Sequence, residues 1–385
     1  MKKSTTKFWQ KIKFLFVVMG SGEASHASAL ASYFKKRGAK NLLIALLSKE
    51  MLHFLKDNEK NIFVVNNPLE LKNLVEKEKI SVIIFFNSKT WAKEYPDFRE
   101  KANFSHSILS FSVDSNWLFN NKRYYNLPFI EWLDYYFVVF PQKIFELGLK
   151  NQGGDFVIPQ KNLKKIIPTG FVPFYSKPQK SLIKKIRRKI DVFPQEKLIF
   201  AYFSGHGALH RIWAFYNLIK AMDIITKKRK EIKVLYVGPT TNIDPKILKR
   251  KWLILKEKLS SKDFFLHLAS SDLVFQHQGM ATLAQAISSQ KPVIANVSKK
   301  SNKKPTLLLH FWELNPFKKA GVCEVFSKTT PIKKISSKIE ALLYNEKKIK
   351  AMQEKQKQIA KGGEPIIFNF IKKIIKQKLK QNENS

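Results

Sequence analysis

Short apolar runs alternate with longer amphipathic stretches along most of the chain, and this alternation limits the fold more than any other feature of the sequence. Residues 14–19, 42–47 and 81–86 have the length and apolar character of buried strands, whereas residues 24–37 and 69–79 have helical spacing. Parallel strands need crossover connections, and uniformly apolar strands are typical of sheets covered on both faces. The sequence therefore predicts an α/β chain built on parallel sheets.

The character of the sequence changes between residues 168 and 194, where four prolines bracket a basic stretch, and the alternation of strands and helices then restarts. We interpret this stretch as the connection between two doubly wound, Rossmann-like α/β domains that face a central cleft. The predicted segments are an N-terminal domain over residues 1–172, a basic linker over 173–194, a C-terminal domain over 195–364, and a basic amphipathic helix and tail over 365–385. Ligands of such sheets bind outside the carboxyl ends of the strands.

The composition excludes several classes of protein. With 385 residues, 44% apolar residues and 31 Phe, the chain has the material for one or two cores, which excludes disorder over its whole length. A single cysteine, Cys323, excludes an intramolecular disulfide and a multi-cysteine metal site. The run at 14–19 is too short to span a membrane, and a Gly-Ser-Gly turn follows it where a signal peptide would have its cleavage site. We therefore expect a cytoplasmic protein.

The charge is strongly basic, with 70 Lys and Arg against 30 acidic residues, a formal net charge of +40, and only 8 of the 70 are Arg. Such a charge attracts polyanions, which include nucleic acid, anionic membranes and phosphorylated substrates. The codon bias of an AT-rich genome would produce the same excess of Lys, so both explanations stay open. Because specific nucleic-acid recognition relies on Arg and on modules that this sequence does not contain, no specific nucleic-acid partner is expected.

A glycine turn follows the first apolar run and contains Gly20, Ser21, Gly22 and Ser25, with His26 at the predicted start of the next helix. Glycines at such a turn bring backbone N–H groups close to a ligand. A dinucleotide fingerprint would need a third glycine near position 25, where Ser25 stands, so the dinucleotide interpretation is weak. His26 is a candidate base for a hydroxyl group, or a histidine near a helix terminus without a chemical role.

A second glycine turn, Gly205-His206-Gly207, follows the first strand-like run of the predicted C-terminal domain. Its glycines suit an anionic group, and Arg211, one turn into the predicted helix, is placed to reach a phosphate. A tight turn without a ligand, with Arg211 facing solvent, is the alternative.

The most specific pattern starts with a strand-like run, residues 273–276, which leads to a turn at His277 and Gly279, and a helix opens before Thr282. The N-terminus of that helix offers free N–H groups and a partial positive charge, which would hold a diphosphate without a metal ion. Gln285 follows one turn later on the same side, within reach of a sugar hydroxyl. A predicted loop with Glu313 and Asn315 comes after the next strand.

In this order, the motifs resemble those of glycosyltransferases of the GT-B fold, especially the branch with the peptidoglycan-precursor N-acetylglucosamine transferase, the diacylglycerol glycosyltransferases and the UDP-glycosyltransferases. The donor site of that family has the pattern His-x-Gly-x-x-Thr-x-x-Glu-Ala, followed by Gly-Lys-Pro. The matching residues of this chain are His277, Gly279, Thr282, Ala286, Lys291 and Pro292. The two glycine turns resemble the glycine-rich loops of the same family.

The resemblance implies the transfer of a hexose or N-acetylhexosamine from a nucleotide-diphosphate sugar, first of all a UDP-sugar, to a hydroxyl acceptor that is lipid-linked or part of the cell envelope. It implies no cofactor and no metal requirement. It places an acceptor or phosphate loop at Gly20, Ser21, Gly22 and Ser25. The implied donor-binding residues are Gly205, His206, Gly207, Arg211, His277, Gly279, Ala281, Thr282, Gln285, Glu313 and Asn315.

Candidate catalytic residues are His26 and Asp114, although Asp114 would equally serve as a loop residue that caps a turn. Gln285 departs from the family, because a Glu at this position would accept stronger, charge-assisted hydrogen bonds from ribose hydroxyls. A catalytically degenerate nucleotide-sugar or polyanion binder and a nucleotide-sugar 2-epimerase therefore stay open as alternatives.

Two basic amphipathic stretches, residues 182–190 and 365–380, predict contact with an anionic membrane surface. For residues 365–380, the alternative is a terminal helix that packs back across the first domain. Since relatives with lipid acceptors work at the inner leaflet, the predicted location is the cytoplasm and the inner face of the membrane.

Overall fold

The computed structural model describes residues 8–18, 21–47, 61–86, 108–114, 127–150, 160–203, 212–241, 243–277, 279–297 and 314–383. The strands are β1 (Phe14–Val18), β2 (Leu42–Leu46), β3 (Ile62–Val64), β4 (Val82–Phe86), β5 (Leu109–Asp114), β6 (Tyr135–Val138), β7 (Ile166–Pro168), β8 (Lys197–Tyr202), β9 (Ile232–Val237), β10 (Leu253–Lys256), β11 (Leu273–Gln276), β12 (Val293–Asn296) and β13 (Glu324–Phe326).

The helices are α1 (Ser21–Lys36), α2 (Pro68–Lys77), α3 (Leu127–Trp132), α4 (Gln142–Lys150), α5 (Gln160–Leu163), α6 (Lys180–Arg188), α7 (Ile212–Ile225), α8 (Pro245–Leu248), α9 (Ser261–Ser270), α10 (Met280–Ser288), α11 (Ile332–Tyr344), α12 (Glu346–Ile359) and α13 (Glu364–Glu383). A further short helix covers residues 314–319.

Two compact units divide these elements. The described residues within 1–145, 152–173 and 361–385 form the first unit, and those within 146–151 and 174–360 form the second. The first unit contains a seven-stranded sheet in the order β3-β2-β1-β4-β5-β6-β7, and the second contains a six-stranded sheet in the order β10-β9-β8-β11-β12-β13. All neighbouring strands of both sheets run parallel. The predicted pair of doubly wound α/β domains is confirmed.

The central strands are apolar on both faces because helices cover both sides of each sheet. Every residue of β1, β2 and β4 is buried, and the alternating pattern of a half-exposed strand is absent from these three. The predicted strand at residues 273–276 coincides with β11. Helices α11 and α12 are separated at Asn345, whose side chain accepts a hydrogen bond from Lys348 N and so caps the second helix.

The C-terminal helix α13 packs into the first unit, so its apolar side is part of a core. Ile367, Phe368, Ile371 and Ile375 are buried in the same cluster as residues of β1 and α1. The ring of Phe368 lies between aromatic side chains of two other segments. Its centroid is 4.8 Å from that of Trp9, 5.0 Å from that of Phe34 and 5.8 Å from that of Tyr33.

The chain returns to the first unit through a close contact between residues 170–171 and 361–363. Phe171 N donates to Lys361 O at 2.8 Å, and Gly363 N donates to Phe171 O at 2.8 Å. Gly170 has φ +107, and a Cβ there would lie 2.5 Å from Lys361 O, so only glycine fits at this position. This contact fixes the direction from which α13 enters the core.

Among the helices of the described ranges, none combines the length and the apolar character that a membrane span requires.

Candidate active site

The order of the strands in each sheet identifies where a ligand would bind. In the second unit, the chain builds β9 and β10 on one side of β8, and then crosses to build β11, β12 and β13 on the other side. Open α/β sheets bind ligands at the carboxyl ends of the strands, at the point where the order reverses. In this unit that point lies between β8 and β11. In the first unit the equivalent point lies between β1 and β4.

His277 and Gly279 lie at the reversal point of the second unit. His277 N donates to Tyr202 O at 3.0 Å, which ties the end of β11 to the end of β8. The rings of Tyr202 and His277 meet edge to face, with centroids 5.4 Å apart. A Cβ on Gly279 would lie 2.3 Å from Nε2 of His277. The imidazole therefore lies directly against the backbone of Gly279, where a side chain would not fit.

Gly279 is also the N-cap of α10, so the imidazole of His277 lies at the N-terminus of this helix. Gly279 has φ −61 and ψ 122, and as a glycine it has no side chain with which to cap the helix. Leu283 N donates to Gly279 O at 3.2 Å, whereas the N–H groups of the first turn, up to the buried Thr282, have no acceptor one turn earlier within the helix. Together with the helix dipole, these N–H groups favour an anion at this point. Ala281 is exposed beside them.

Two amides close to this helix terminus have buried oxygens. Gln276 is 0% exposed, and its Nε2 donates a long hydrogen bond of 3.5 Å to Gly279 O. Within the described ranges, Oε1 of Gln276 and Oε1 of Gln285 accept no hydrogen bond. A buried carbonyl oxygen without a donor costs free energy, about 1–3 kcal/mol, so each would gain from a ligand or water that donates to it.

Several predicted donor-site residues lie outside the described residues, namely Gly205, His206, Gly207, Arg211 and Glu313. Asn315 is described, and its predicted loop is wrong at this position, because residues 314–319 form a helix in which Asn315 is half-buried. The neighbouring Leu314 and Phe317 are fully buried, and their spacing of three residues places them on one helical face.

Most of the predicted acceptor loop of the first unit belongs to a helix. Helix α1 begins at Ser21, so Ser21, Gly22 and Ser25 belong to the helix rather than to a loop, whereas Gly20 lies outside the described residues. An acidic residue in the first turn, Glu23, suits the positive end of the helix dipole, and the alanines that follow are strong helix formers. These preferences exceed the cost of about 1 kcal/mol for one glycine in the helix.

His26 consequently lies in the second turn of α1 instead of at its start. Its side chain is 4% exposed, and burial lowers its pKa to about 4, so the imidazole is neutral at neutral pH. In the part of the chain that the structure describes, Nδ1 of His26 has no hydrogen-bond partner. The helix that carries His26 directly follows β1, one of the two strands at the reversal point.

The low pKa of His26 predicts a loss of stability as the pH falls. The unfolded chain binds a proton near pH 6.5 and the folded chain only near pH 4, so the free energy of unfolding decreases from pH 6.5 downward and levels off near pH 4. Between pH 7.5 and pH 5 this single group should remove about 2 kcal/mol. We expect urea unfolding of a His26→Gln variant to show a correspondingly smaller pH dependence than the wild type. Parallel curves for the two proteins would contradict a buried, neutral His26.

Asp114 is the last residue of a buried strand, so the alternative of a loop residue that caps a turn is wrong. It is 1% exposed, and its Oδ2 accepts a hydrogen bond of 2.7 Å from the hydroxyl of Tyr136 on the adjacent β6. Strand β4 stands between β5 and β1, and among the described residues no hydrogen bond or ion pair joins Asp114 to His26. Of the two candidate catalytic residues, Asp114 thus ends β5, and His26 lies on the helix that follows β1.

Three solved structures have a similar arrangement of strands and helices. A UDP-GlcNAc 2-epimerase from Neisseria meningitidis bound to UDP-GlcNAc matches with a TM-score of 0.62 and 14% identity, over 94% of this chain and 100% of that chain. MurG from Acinetobacter baumannii matches with a TM-score of 0.63 and 10% identity, over 94% of this chain and 99% of that chain. MnaA from S. aureus, solved with UDP, matches with a TM-score of 0.64 and 14% identity, over 95% and 97% of the two chains.

The chain has the GT-B fold. By sequence, no protein-family model and no curated protein matches it. The likeness to the solved structures, at 10% to 14% identity, concerns the arrangement of the chain and leaves the activity open.

Sequence reasoning missed three strand residues near the candidate site residues of this GT-B chain. Tyr202 and Gln276 are paired in register at the ends of β8 and β11, and Tyr136 bonds to Asp114. Each lies within or next to an apolar run, where an aromatic or amide side chain is not distinguishable by sequence from an ordinary strand residue. The one available signal was Gln276, a polar residue at the end of three apolar ones, directly before a histidine.

Proposed function

We propose that this chain is an enzyme that acts on a nucleotide-diphosphate sugar, and more specifically a glycosyltransferase that moves a hexose or N-acetylhexosamine from a UDP-sugar to a hydroxyl acceptor. The observation that carries the proposal is the packing of His277 against Gly279, the N-cap of α10, next to the end of β8. The imidazole ring and the N–H groups of the first helical turn thus lie together at the strand-order reversal of the second unit.

In the proposed reaction, the diphosphate lies at the N-terminus of α10. The bond between the anomeric carbon and the diphosphate oxygen breaks, a new bond to the acceptor oxygen forms, and the proton of the acceptor hydroxyl passes to the departing nucleoside diphosphate. N–H groups of the first turn of α10 stabilise the negative charge that develops on the departing diphosphate. As proposed, this arrangement works without a metal ion. Gln285 is assigned to a hydroxyl of the donor, through its buried Oε1.

The proposed role of His26 is to orient the acceptor hydroxyl. Its neutral imidazole can accept a hydrogen bond at neutral pH, but a group with a pKa of about 4 is a weak proton acceptor. Orientation of the acceptor oxygen against the anomeric carbon accounts for a large part of the rate in reactions of this kind. Asp114 accepts a hydrogen bond from the Tyr136 hydroxyl at the end of β5. We assign it a supporting role in the first unit.

A nucleotide-sugar 2-epimerase is the second candidate, because a UDP-GlcNAc 2-epimerase solved with UDP-GlcNAc matches this chain with a TM-score of 0.62. The two activities differ in their substrates and in their products. A transferase releases the nucleoside diphosphate only when an acceptor is present, whereas a 2-epimerase changes the configuration at C2 of the sugar and needs no acceptor.

The test begins with a thermal-shift screen of the full chain against UDP, GDP, dTDP, ADP and their sugars. A ligand at 100 times its Kd should stabilise the protein by about 2.7 kcal/mol, which raises Tm by several degrees. We expect this shift for one nucleotide family, with its loss in His277→Ala and in Thr282→Ala. His267→Ala is the matched control, because His267 is a second buried histidine of the same unit, bound to Asp263 O in α9, and should leave the shift unchanged.

Product analysis then separates the candidates. Incubation of the identified nucleotide-sugar alone, followed by NMR of the sugar, detects a change at C2, and addition of hydroxyl acceptors detects release of the nucleoside diphosphate. The absence of a shift with every nucleotide, on protein that unfolds cooperatively, would contradict both activities and favour the polyanion-binding alternative.

A further inference from the structure

Helix α6 presents a continuous cationic surface to solvent. Its members, here called the α6 patch, are Ser181, Leu182, Lys184, Lys185, Arg188 and Lys189, and all six are exposed. At about 100° per residue, they fall within an arc of roughly 160° around the helix axis. No acidic residue occurs in this helix.

The opposite side of α6 is fixed to the second unit. Ile186 and Ile190 are buried, and the guanidinium of Arg187 lies 3.0 Å from Asp272 Oδ2 and donates to the backbone oxygens of Ser270 and Glu196. The cations of the α6 patch therefore project from a helix that is held rigidly, which is a favourable condition for binding a partner because little ordering is required.

The charges of the α6 patch are not neutralised within the described part of the chain. None of its four cations has a carboxylate within 4 Å among the described residues, and the pairs Lys184–Arg188 and Lys185–Lys189 are like charges four residues apart, which destabilises a helix. Helix α12 is equally rich in lysine, but it contains Glu346 and Glu354, and Lys350 lies 3.3 Å from Glu346.

Besides its charge, the α6 patch has a depression and exposed apolar side chains beside it. An open depression of about 590 Å³ is lined by Ser181 and the four cations. Leu182, on the same arc, is 36% exposed, and Phe193, five residues after the helix, is 58% exposed. Cations around a shallow depression, with apolar side chains beside them, fit a surface that offers both phosphate groups and apolar chains.

We propose that the α6 patch binds the surface of an anionic lipid bilayer. Three of its four cations are lysines, which act as point charges on phosphates, whereas nucleic-acid recognition favours the bidentate fork of arginine. Leu182 would enter the boundary between the headgroups and the acyl chains of the bilayer. The phosphate backbone of a nucleic acid has no apolar layer of this kind. The apolar side of α13 is part of the core of the first unit, so that helix does not compete for this role.

The test is co-sedimentation of the full chain with vesicles of phosphatidylcholine, with and without 30% phosphatidylglycerol. We expect binding to the anionic vesicles only, with an affinity that falls as salt is added. Because each cation near an anionic surface contributes about a factor of five, a variant with Gln at positions 184, 185, 188 and 189 should bind on the order of 10²–10³ times more weakly. Removal of like-charge pairs should leave its Tm unchanged or raise it.

The matched control carries the same loss of four charges in α12, with Gln in place of Lys347, Lys348, Lys350 and Lys357, all of which are exposed. It should keep vesicle binding within about a factor of three, which would exclude an effect of net charge alone. A Leu182→Ser variant should weaken binding to vesicles and leave binding to heparin unchanged. Equal losses in the α6 and α12 variants would overturn the proposal, as would binding to DNA that depends on the α6 patch without any binding to vesicles.

This inference is independent of the proposed enzyme activity. The α6 patch contains none of the residues assigned to the nucleotide-sugar, so the α6 variant should keep the nucleotide-induced rise in Tm. Failure of vesicle binding would leave the active-site assignment untouched, and failure of nucleotide binding would leave the α6 patch untouched.

Discussion

Replacement of Phe368 by Ala is expected to lower the free energy of unfolding of the first unit by about 3–5 kcal/mol. The ring is buried against Trp9, Tyr33 and Phe34, and truncation would leave a cavity between α13 and α1 that the surrounding aromatic rings cannot fill. Hydrogen exchange measured by mass spectrometry at increasing urea concentrations would follow each unit separately. Peptides from β1, α1 and α13 should lose protection at lower urea, and peptides from β8 and β11 should not.

Ile366→Ala is the control for this prediction, because it truncates another large apolar side chain two residues away in the same helix. Ile366 is 40% exposed, so its truncation should change the free energy of unfolding by less than about 1 kcal/mol. Similar effects of the two substitutions would contradict the packing of α13 against the first unit.

Replacement of Gly279 by Ala is expected to disrupt the candidate donor site. The new Cβ would lie 2.3 Å from Nε2 of His277, so the imidazole must leave its position at the N-terminus of α10. Forced overpacking of this kind costs about 1–3 kcal/mol of stability. Under the proposed function, the affinity for the nucleotide-sugar should fall at least about tenfold, which corresponds to 1.4 kcal/mol and is measurable by calorimetry.

A double variant tests whether Gly279 acts through His277. In His277→Ala the clash partner is absent, so adding Gly279→Ala should cost little further stability and little further affinity, and the two effects should be non-additive. Additive losses would show that the two residues act separately, and would contradict the contact between the imidazole and the helix terminus. Because stability is measured without a ligand, this part of the prediction does not depend on the proposed activity.

The strands of both sheets were largely predictable from the sequence because burial on both faces makes a strand uniformly apolar. The predicted ranges 14–19, 42–47 and 273–276 match β1, β2 and β11 within one residue. Strands β7, β10 and β13 were not predicted. They have three or four residues and lie at the edges of the sheets, where half-exposed positions remove the continuous apolar signal.

The site was predictable only in part, because residue types at a turn do not determine where a helix begins. The pattern from His277 to Thr282 correctly placed a strand end, a glycine and a helix start. The turn before His26 looked like a loop because of its glycines, but Glu23 and the alanines extend α1 back to Ser21. The roles of His277, Gly279, Gln285, His26 and Asp114 in binding or catalysis stay predictions.

The return of α13 to the first unit determines the order in which the two units can fold during synthesis. Residue 361 leaves the ribosome about 190 residues after residue 173, which at about 5–20 residues per second is a delay of roughly 10–40 s. During this time the aromatic side chains of Trp9 and Phe34 lack the helix that buries them. The second unit, in contrast, includes none of the last 25 residues. We therefore expect the second unit to fold first on the ribosome, and the first unit to depend on chaperones until α13 has emerged.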